Sequence, residues 1–259
     1  MKQLKKFRTA STIILTSICI HLTCNAHFIW IETPQTTTIG NNHILNIFFG
    51  EVNFDTKETS PGRLDEMNDL KTTCLNPKNE ASQLPLTKQK DRFTTNFTPK
   101  ETGIYQILTT NTDANVMNLT KANLGIVKPM YYSRQLILCL DKSNPNMPKT
   151  PPIKPYFDLD LIPELSNTSQ NSFPVNKPIN FYAYFKKIPT KGGKIFAHAP
   201  NGWSKEIDAD QQGFCSFTPL WEGQYVIDWT YTENSSGTYK DKPFETIRHR
   251  TVLTIYVTK

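Results

Sequence analysis

Four histidines and one glutamate are the side chains whose types and placement could do chemistry in this chain. The first of them, His27, directly follows Cys24-Asn25-Ala26, a small-x-small pattern at which a signal peptidase would cut. A cut there makes His27 the first residue, so that its α-amino nitrogen and its imidazole can chelate one metal ion. One more imidazole would complete a nitrogen-rich site of the kind that suits Cu(II) or Ni(II), and a carboxylate could add an oxygen. The candidate ligands are His27, His43, His198, His249 and Glu51.

Three of these histidines also have a purely structural interpretation. His43 and His198 adjoin strand-like segments, where a histidine is more often hydrogen-bonded or exposed than a metal ligand. His249 stands between Arg248 and Arg250, and two positive side chains oppose a cation beside them. The chain has no HExxH, paired-carboxylate or Gly-x-Ser-x-Gly motif, so the sequence predicts binding and not catalysis.

Residues 1–26 have the three parts of a secretory signal peptide, namely a basic start, an apolar run and a small-residue exit. The apolar run, Ile13–Leu22, is shorter than the roughly 20 residues of a transmembrane helix. Cleavage removes four of the Lys and Arg residues and lowers the net charge from +6 to +2. No basic block and no second hydrophobic segment follow, which argues against a nucleic-acid partner and a transmembrane segment. We therefore expect a soluble protein, periplasmic or secreted.

Short strand-like segments separated by turn residues fill the chain after this leader. β-Branched and aromatic residues dominate them, as is typical of strands, and only Asn115–Lys128 could form a helix. The first half contains His27–Thr33, His43–Gly50, Lys71–Leu75, Arg92–Phe97, Ile104–Thr110 and Tyr131–Leu140. The second half contains Tyr156–Ile162, Ile179–Lys186, Gly193–Ala197, Trp203–Ile207, Phe214–Thr218, Tyr225–Tyr231 and Arg248–Val257. About seven strands in about 100 residues are typical of a β-sandwich.

An internal repeat at an offset of 120 residues indicates a duplication. Phe97–Ile107 aligns with Phe217–Ile227 without a gap, and six of the eleven positions are identical. In both copies a strand ends at Phe, and Pro, which has no N–H, ends the ladder of backbone hydrogen bonds. Gly then allows the turn, and Tyr lies at the start of the next strand. This pattern resembles the corner of Greek-key sandwiches, where a Tyr hydroxyl bonds to nearby backbone. The predicted fold class is all-β, with two tandem immunoglobulin-like Greek-key β-sandwich domains after a cleaved signal peptide.

The boundary between the two domains is predicted in a proline-rich segment. Five of the twelve residues in Asn144–Pro155 are proline, which is typical of a stiff, extended linker. The predicted organisation is a signal peptide at 1–26, an N-terminal domain at 27–143, a linker at 144–155 and a C-terminal domain at 156–259. After cleavage an odd number of cysteines remains, so either one disulfide plus a buried thiol or no disulfide is expected. These cysteines are Cys74, Cys139 and Cys215.

Several short motifs match those of a known family. They are Ala26–Glu32, Phe49–Glu51, Tyr132–Arg134, Asp208–Gly213, Phe217–Pro219, Gly223–Tyr225 and His249–Thr254. In these segments the chain resembles the exported nickel/cobalt-uptake-associated proteins, periplasmic β-sandwich proteins that usually begin Ala-His-x-x-Trp-Leu-x-Pro. The resemblance implies a protein that assists transition-metal handling, with His27 and His249 as the best-matched ligands. The chain departs from the family at Arg250, where an aromatic residue is usual.

Three hypotheses about function follow. In the first, the protein binds nickel, cobalt or copper at its mature N-terminus and delivers the metal to a membrane transporter, without catalysis. In the second, a histidine brace at His27 makes the protein a copper oxidase. In the third, it is a metal-free surface or adhesion module. Leu22-Thr23-Cys24 weakly resembles a lipoprotein box, and acylation of Cys24 would place His27 fourth and abolish the chelate.

Overall fold

The computed structural model of the protein describes residues 27–52, 56–143, 151–165 and 173–259, and its elements are almost all strands. Strands account for 56% and helices for 4%, so the predicted all-β sandwich fold is confirmed. The predicted signal peptide and residues 144–150 of the predicted linker lie outside the described residues. The first half contains β1 (Phe28–Glu32), β2 (Thr36–Thr38), β3 (His43–Glu51), β4 (Thr56–Lys57), β5 (Lys71–Leu75), β6 (Ala81–Leu84), β7 (Thr87–Lys88), β8 (Phe93–Phe97), β9 (Gly103–Asn111), β10 (Met117–Asn118) and β11 (Ile126–Leu140). The second half contains β12 (Leu159–Pro163), β13 (Phe173–Pro174), β14 (Ile179–Phe185), β15 (Ile188–Pro189), β16 (Lys194–His198), β17 (Ser204–Ile207), β18 (Phe214–Phe217), β19 (Gly223–Glu233), β20 (Gly237–Tyr239), β21 (Lys242–Phe244) and β22 (Thr246–Thr258).

Every strand expected from the sequence overlaps an observed strand, whereas Asn115–Lys128, the segment that could have formed a helix, does not form one. That segment contains β10, a 3-10 turn at Thr120–Ala122 and the start of β11. Asn123 takes a left-handed conformation that ends the turn, and Ile126 then enters the sheet. A second 3-10 helix, Arg63–Met67, lies between β4 and β5.

The described residues form three main sheets and one separate hairpin. The N-terminal sheet has the order β1-β3-β8-β7, with β4 also paired to β3. The central sheet has the order β17-β16-β19-β22-β11-β9-β5-β6, and the short strands β2, β10 and β13 pair at its middle. The C-terminal sheet has the order β12-β14-β15, with β18 also paired to β14, and β20 and β21 form a separate hairpin.

The central sheet joins the two halves of the chain along a parallel seam. Strand β11 pairs with β22 from Val127↔Thr246 to Gln135↔Thr254. On either side of this seam the order of strands repeats, with β9, β5 and β6 on one side and β19, β16 and β17 on the other. The offset of the sequence repeat, 120 residues, is also the offset between the starts of β9 and β19 and of β11 and β22. The duplication predicted from the sequence is therefore present in the topology.

The two outer sheets pack against opposite faces of the central sheet. Tyr131 belongs to the core under the N-terminal sheet, whereas Tyr132 belongs to the core under the C-terminal sheet. Successive side chains of a strand point to opposite faces, so these two cores lie on the two sides of β11. A twofold axis parallel to the strands keeps the direction of a strand and exchanges the two faces of the sheet. The parallel seam and the outer sheets on opposite faces are therefore what a pseudo-twofold axis between the two halves produces.

Both copies of the repeat form the predicted tyrosine corner. The hydroxyl of Tyr105 accepts hydrogen bonds from the backbone N–H groups of Lys100 and Glu101, each at 3.2 Å. The hydroxyl of Tyr225 accepts one from the N–H of Trp221, also at 3.2 Å. Each corner thus closes over four or five residues, as the sequence pattern predicted.

Candidate functional site

The imidazole of His27 lies in a cluster of charged side chains at one end of the N-terminal sheet. Its Nδ1 is 3.2 Å from Oε1 of Glu51, and its Nε2 contacts Oε1 of Glu58. The guanidinium of Arg63 is 2.9 Å from the same Nε2, and the ring packs on Phe49 with a centroid distance of 5.3 Å. The His27 side chain is 11% exposed, which makes it largely buried while one edge still reaches solvent.

The register of the N-terminal sheet explains why His27 meets Glu51. Strands β1 and β3 are antiparallel, and Phe28 pairs with Gly50. One step beyond this pair, His27 and Glu51 stand opposite each other, and opposite side chains on one face of a sheet are in contact. The pairing of two ordinary strands is therefore sufficient to place the imidazole against the carboxylate.

Gly50 allows the next segment of chain to bring Glu58 to the same place. Its φ of +152° is a backbone conformation that residues with a side chain rarely adopt, and a Cβ would stand 1.9 Å from the carbonyl oxygen of Thr56. Without that Cβ, β4 pairs closely with β3, and the N–H of Glu58 donates to the carbonyl of Phe49 at 2.8 Å. Glycine at position 50 is thus required for the close approach that completes the cluster.

A second set of contacts ties the main chain of His27 to the central sheet. Arg250 of β22 donates from Nη1 to the carbonyl oxygen of His27 at 2.8 Å, and its Nη2 lies 3.4 Å from Oδ1 of Asp228. The other oxygen of Asp228 is 2.7 Å from Nε2 of His198, whose Nδ1 is 2.8 Å from Oγ of Ser204. Burial lowers the pKa of Arg250, and the carboxylate of Asp228 opposes that shift. A chain of polar contacts therefore runs from the start of β1 to β17.

The structure does not bring His249 to His27. His249 is 1% exposed and faces the C-terminal sheet, with its Nδ1 3.3 Å from the Tyr132 hydroxyl and its Nε2 3.1 Å from Glu233. The neighbouring residue, Arg250, is the one that faces β1, because side chains alternate along β22. Burial lowers the pKa of His249, and the hydrogen bond to Glu233 opposes this shift.

The other two predicted histidines are also engaged elsewhere. His43 is 5% exposed, its Nε2 is 2.7 Å from the Thr33 hydroxyl, and burial lowers its pKa. Both ring nitrogens of His198 have partners in Asp228 and Ser204. Of the five predicted ligands the structure thus brings together His27 and Glu51. No second imidazole contacts His27 within the described ranges, so the pair of rings that a histidine brace needs is not assembled there.

The sequence did not indicate the residues that complete the cluster. Glu58 and Arg63 lie in a segment with no strand-like pattern, and Glu58 reaches His27 through the close pairing of β4 with β3 at Gly50. The motif Phe49-Gly50-Glu51 carries the only local signal, a glycine beside a buried strand end.

The side chains around His27 supply some, but not all, of the ligands that a metal ion needs. Two carboxylates and one imidazole are suitable ligands, but the guanidinium of Arg63 stands among them. Across the described part of the chain, no group of three or more His, Cys, Asp and Glu side chains has an arrangement that could hold a metal ion. A metal site here therefore needs a further donor, and the α-amine of a chain that begins at His27 would supply one.

Comparisons with known proteins leave the function open. No family model and no curated protein matches the chain, so its resemblance to the nickel/cobalt-uptake-associated proteins stays a prediction. The solved structures with similarity to the chain include two proteins of different kinds. One is a DUF4785 family protein from Legionella pneumophila subsp. pneumophila str. Philadelphia 1, with a TM-score of 0.29 and 14% identity over 77% of this chain and 52% of that one. The other is the BSP domain of a biofilm associated protein, with a TM-score of 0.25 and 12% identity over 90% of this chain and 30% of that one.

This chain thus spans about half the length of the first of these proteins and less than a third of the second. Among the described residues, no helix is both long and apolar enough to cross a membrane.

Proposed function

We propose that the protein is exported and captures a transition-metal ion, Ni(II), Co(II) or Cu(II), at a mature N-terminus formed by His27. The role is binding and delivery to a membrane transporter, and catalysis is not part of it. The observation that carries the proposal is the contact of the His27 imidazole with the carboxylates of Glu51 and Glu58. Cleavage after Ala26 adds an α-amine within chelating distance of that imidazole.

The charges of the cluster favour a divalent cation once this amine is present. Glu51 and Glu58 carry two negative charges beside the ring, and their side chains are 8% and 20% exposed. Carboxylates shielded from water attract a cation more strongly than exposed ones do. Arg63 competes for the same nitrogen, but its side chain is 40% exposed, so it can turn toward Glu66 when a metal enters.

Metal titration of variants tests this proposal. The chain is expressed with its native leader, purified after processing and titrated with NiCl2 or CuCl2 in a calorimeter. We expect one ion per chain, with His27→Ala and Glu58→Gln weakening affinity by roughly 10- to 100-fold or more, because each removes a group at the ion. Glu80→Gln is the matched control, since Glu80 is exposed and its carboxylate contacts Asn76, outside the cluster. Unchanged affinity in His27→Ala would overturn the proposal.

One observation favours a second candidate, a metal-free surface or adhesion module in which the cluster at His27 is structural. The Arg63 guanidinium lies 2.9 Å from Nε2 of His27, and Arg250 holds the His27 carbonyl. In that case the cluster fastens the start of β1 to both halves of the chain. His27→Ala would then lower the free energy of unfolding and leave the weak affinity for metal unchanged. The same titration, combined with urea unfolding, distinguishes this candidate from the metal-binding protein.

A further inference from the structure

A serine, a histidine and an aspartate form a hydrogen-bonded series at one edge of the central sheet. Nδ1 of His198 lies 2.8 Å from Oγ of Ser204, and Nε2 of His198 lies 2.7 Å from Oδ2 of Asp228. His198 and Asp228 are each 5% exposed, whereas Ser204 is exposed. The series therefore leads from two buried groups to a hydroxyl that a dissolved molecule can reach.

Strand pairing brings these three side chains together. Ser204 of β17 stands directly opposite His198 of β16. Asp228 of β19 stands opposite Phe196, two residues before His198, so it is a diagonal neighbour of His198 on the same face. The rings of Phe28 and Phe196 stack on the imidazole, with centroids 6.1 and 6.2 Å away. These contacts fix the orientation of the imidazole.

The partners of His198 determine which ring nitrogen carries the proton. A carboxylate only accepts hydrogen bonds, so Nε2 donates to Asp228 and Nδ1 of the neutral ring is left as an acceptor. The Ser204 hydroxyl then donates to Nδ1, as a serine nucleophile does to its general base. The two nitrogens exchange the roles that they have in serine proteases, but one still accepts from serine while the other donates to aspartate.

The backbone of Ser204 offers a donor for a developing negative charge. The N–H of Ala199 donates to the carbonyl of Trp203 at 2.8 Å, so the neighbouring pair, His198 and Ser204, is one without mutual backbone hydrogen bonds. The N–H of Ser204 therefore points away from β16. Within the described residues β17 is the last strand on that side of the central sheet, which leaves this N–H accessible. The N–H of the nucleophilic serine is a usual part of an oxyanion hole.

We propose that Ser204, His198 and Asp228 hydrolyse carboxylic esters through an acyl-serine. Oγ of Ser204 attacks the ester carbonyl and gives its proton to Nδ1 of His198, while the Ser204 N–H binds the carbonyl oxygen. The C–O bond to the alcohol breaks, and Nδ1 gives the proton to the departing alcohol. Water then attacks the acyl-serine and gives one proton to Nδ1. That proton returns to Oγ as the carboxylic acid leaves.

The surroundings of Ser204 favour small esters. Ser204 lies on an open edge strand, and the partly exposed ring of Phe196 is on the same face beside it. A short acyl group with an aromatic alcohol fits a site that has one aromatic surface and is otherwise open. This activity is additional to metal capture at His27 and needs no metal, so the two proposals can fail separately.

A fluorophosphonate probe, which reacts with activated serines, tests the nucleophile. The chain is expressed with its native leader, purified after processing and treated with the probe in the presence of EDTA, and the modified residue is identified by peptide mass spectrometry. We expect an adduct at Ser204 and none at Ser82. Ser82 is the matched serine, since it is exposed on the last strand at the other end of the central sheet and stands opposite Cys74 instead of a histidine. No adduct at Ser204, or equal labelling of both serines, would overturn the proposal.

Hydrolysis of p-nitrophenyl acetate in EDTA measures the activity itself. Ser204→Ala should lower kcat/KM by at least about tenfold, because it removes the nucleophile, whereas Ser82→Ala should not change it. Because Ser204 is exposed, this variant keeps the fold and its result does not depend on a buried substitution. Hydrolysis by Ser204→Ala at the rate of the unaltered chain would contradict the assignment.

Asp228 positions the imidazole without touching the ester, and its variants distinguish this role from a purely structural one. Asp228→Asn should lower kcat with little change in KM, and Asp228→Glu should restore part of kcat, because it restores the acceptor for Nε2. An unaltered kcat in Asp228→Asn would show that the aspartate takes no part in the reaction.

Discussion

At the scale of single residues, the neighbours of His27 follow from strand pairing and could be predicted only in part. Glu51 was predicted because it ends a strand in the motif Phe49-Gly50-Glu51, and its contact with His27 follows from the β1–β3 register. His249 is a predicted ligand because His249–Thr254 resembles the closing motif of the nickel/cobalt-uptake-associated proteins, yet Arg250 is the residue that reaches His27. Adjacent residues of a strand face opposite sides, however, and nothing local tells which side of β22 meets β1. The parallel pairing of β22 with β11 determines which side of β22 faces β1.

The three cysteines outside the predicted leader are free and buried. Of the two arrangements left open by the sequence, the structure has the one without a disulfide. Cys139 and Cys215 lie in strands of the central and C-terminal sheets, as small apolar residues do. Burial raises the pKa of the Cys74 and Cys215 thiols to about 12 and that of Cys139 to about 11.

These thiols make stability depend on pH in the alkaline range. Above about pH 9 the unfolded chain loses thiol protons that the folded chain retains, so the free energy of unfolding falls as the pH rises toward 11. Between about pH 8 and about pH 10 we expect a loss of about 1 kcal/mol per thiol, measured by urea unfolding. The variant with all three cysteines replaced by alanine should lack this part of the slope. An identical slope in both chains would show that the thiols titrate alike in the folded and unfolded states.

At the scale of elements, the long strands were predictable and the short ones were not. The predicted strands carry runs of β-branched and aromatic residues, such as Ile179–Phe185 in β14. Strands such as β4, β7 and β10 have two residues each, too few for any alternation to be visible. These short strands form because they pair with a longer neighbouring strand, which depends on tertiary structure and not on local sequence. Glu58 and Arg63 were missed for the same reason, since they follow β4.

The tyrosine corners are elements whose contribution can be measured. Tyr105→Phe and Tyr225→Phe each remove a hydroxyl that bonds to backbone, so each should lower the free energy of unfolding by about 1 kcal/mol. The corners lie in different halves, so the double variant should lose about the sum. Tyr182→Phe is the control, since its ring packs on Phe214 and no backbone group of the described residues hydrogen-bonds to its hydroxyl, so it should cost at most about 0.5 kcal/mol. Equal losses in all three variants would contradict a special role for the corners.

At the scale of the whole molecule, the repeat predicted two similar halves but not how they join. The parallel β11–β22 seam makes one continuous sheet of the two. A buried ion pair crosses the same region, where Arg134 of β11 lies 2.6 Å from Asp160 of β12. Pairing between strands more than a hundred residues apart leaves no local pattern in a sequence, so the seam could not have been predicted.

We expect the seam to make the two halves unfold together. The cysteines report on both, with Cys74 and Cys139 in the first half and Cys215 in the second. Pulses of an alkylating reagent at increasing urea concentration, read by mass spectrometry, should show all three thiols becoming reactive at one midpoint. A midpoint for Cys215 clearly apart from that of Cys74 would mean that the halves unfold independently and that the seam contributes little.

The central claim about the whole molecule is that export creates its metal site by exposing the α-amine of His27. The most direct test compares Ni(II) affinity, by calorimetry, of a chain that begins at His27 with one that begins at Thr23 and carries Cys24→Ser, so that the four additional residues bring no thiol. Both chains keep the imidazole, Glu51 and Glu58, so they differ at the metal only in the amine. The account predicts that the extension weakens Ni(II) binding by at least about tenfold. Equal affinity of the two chains would contradict it.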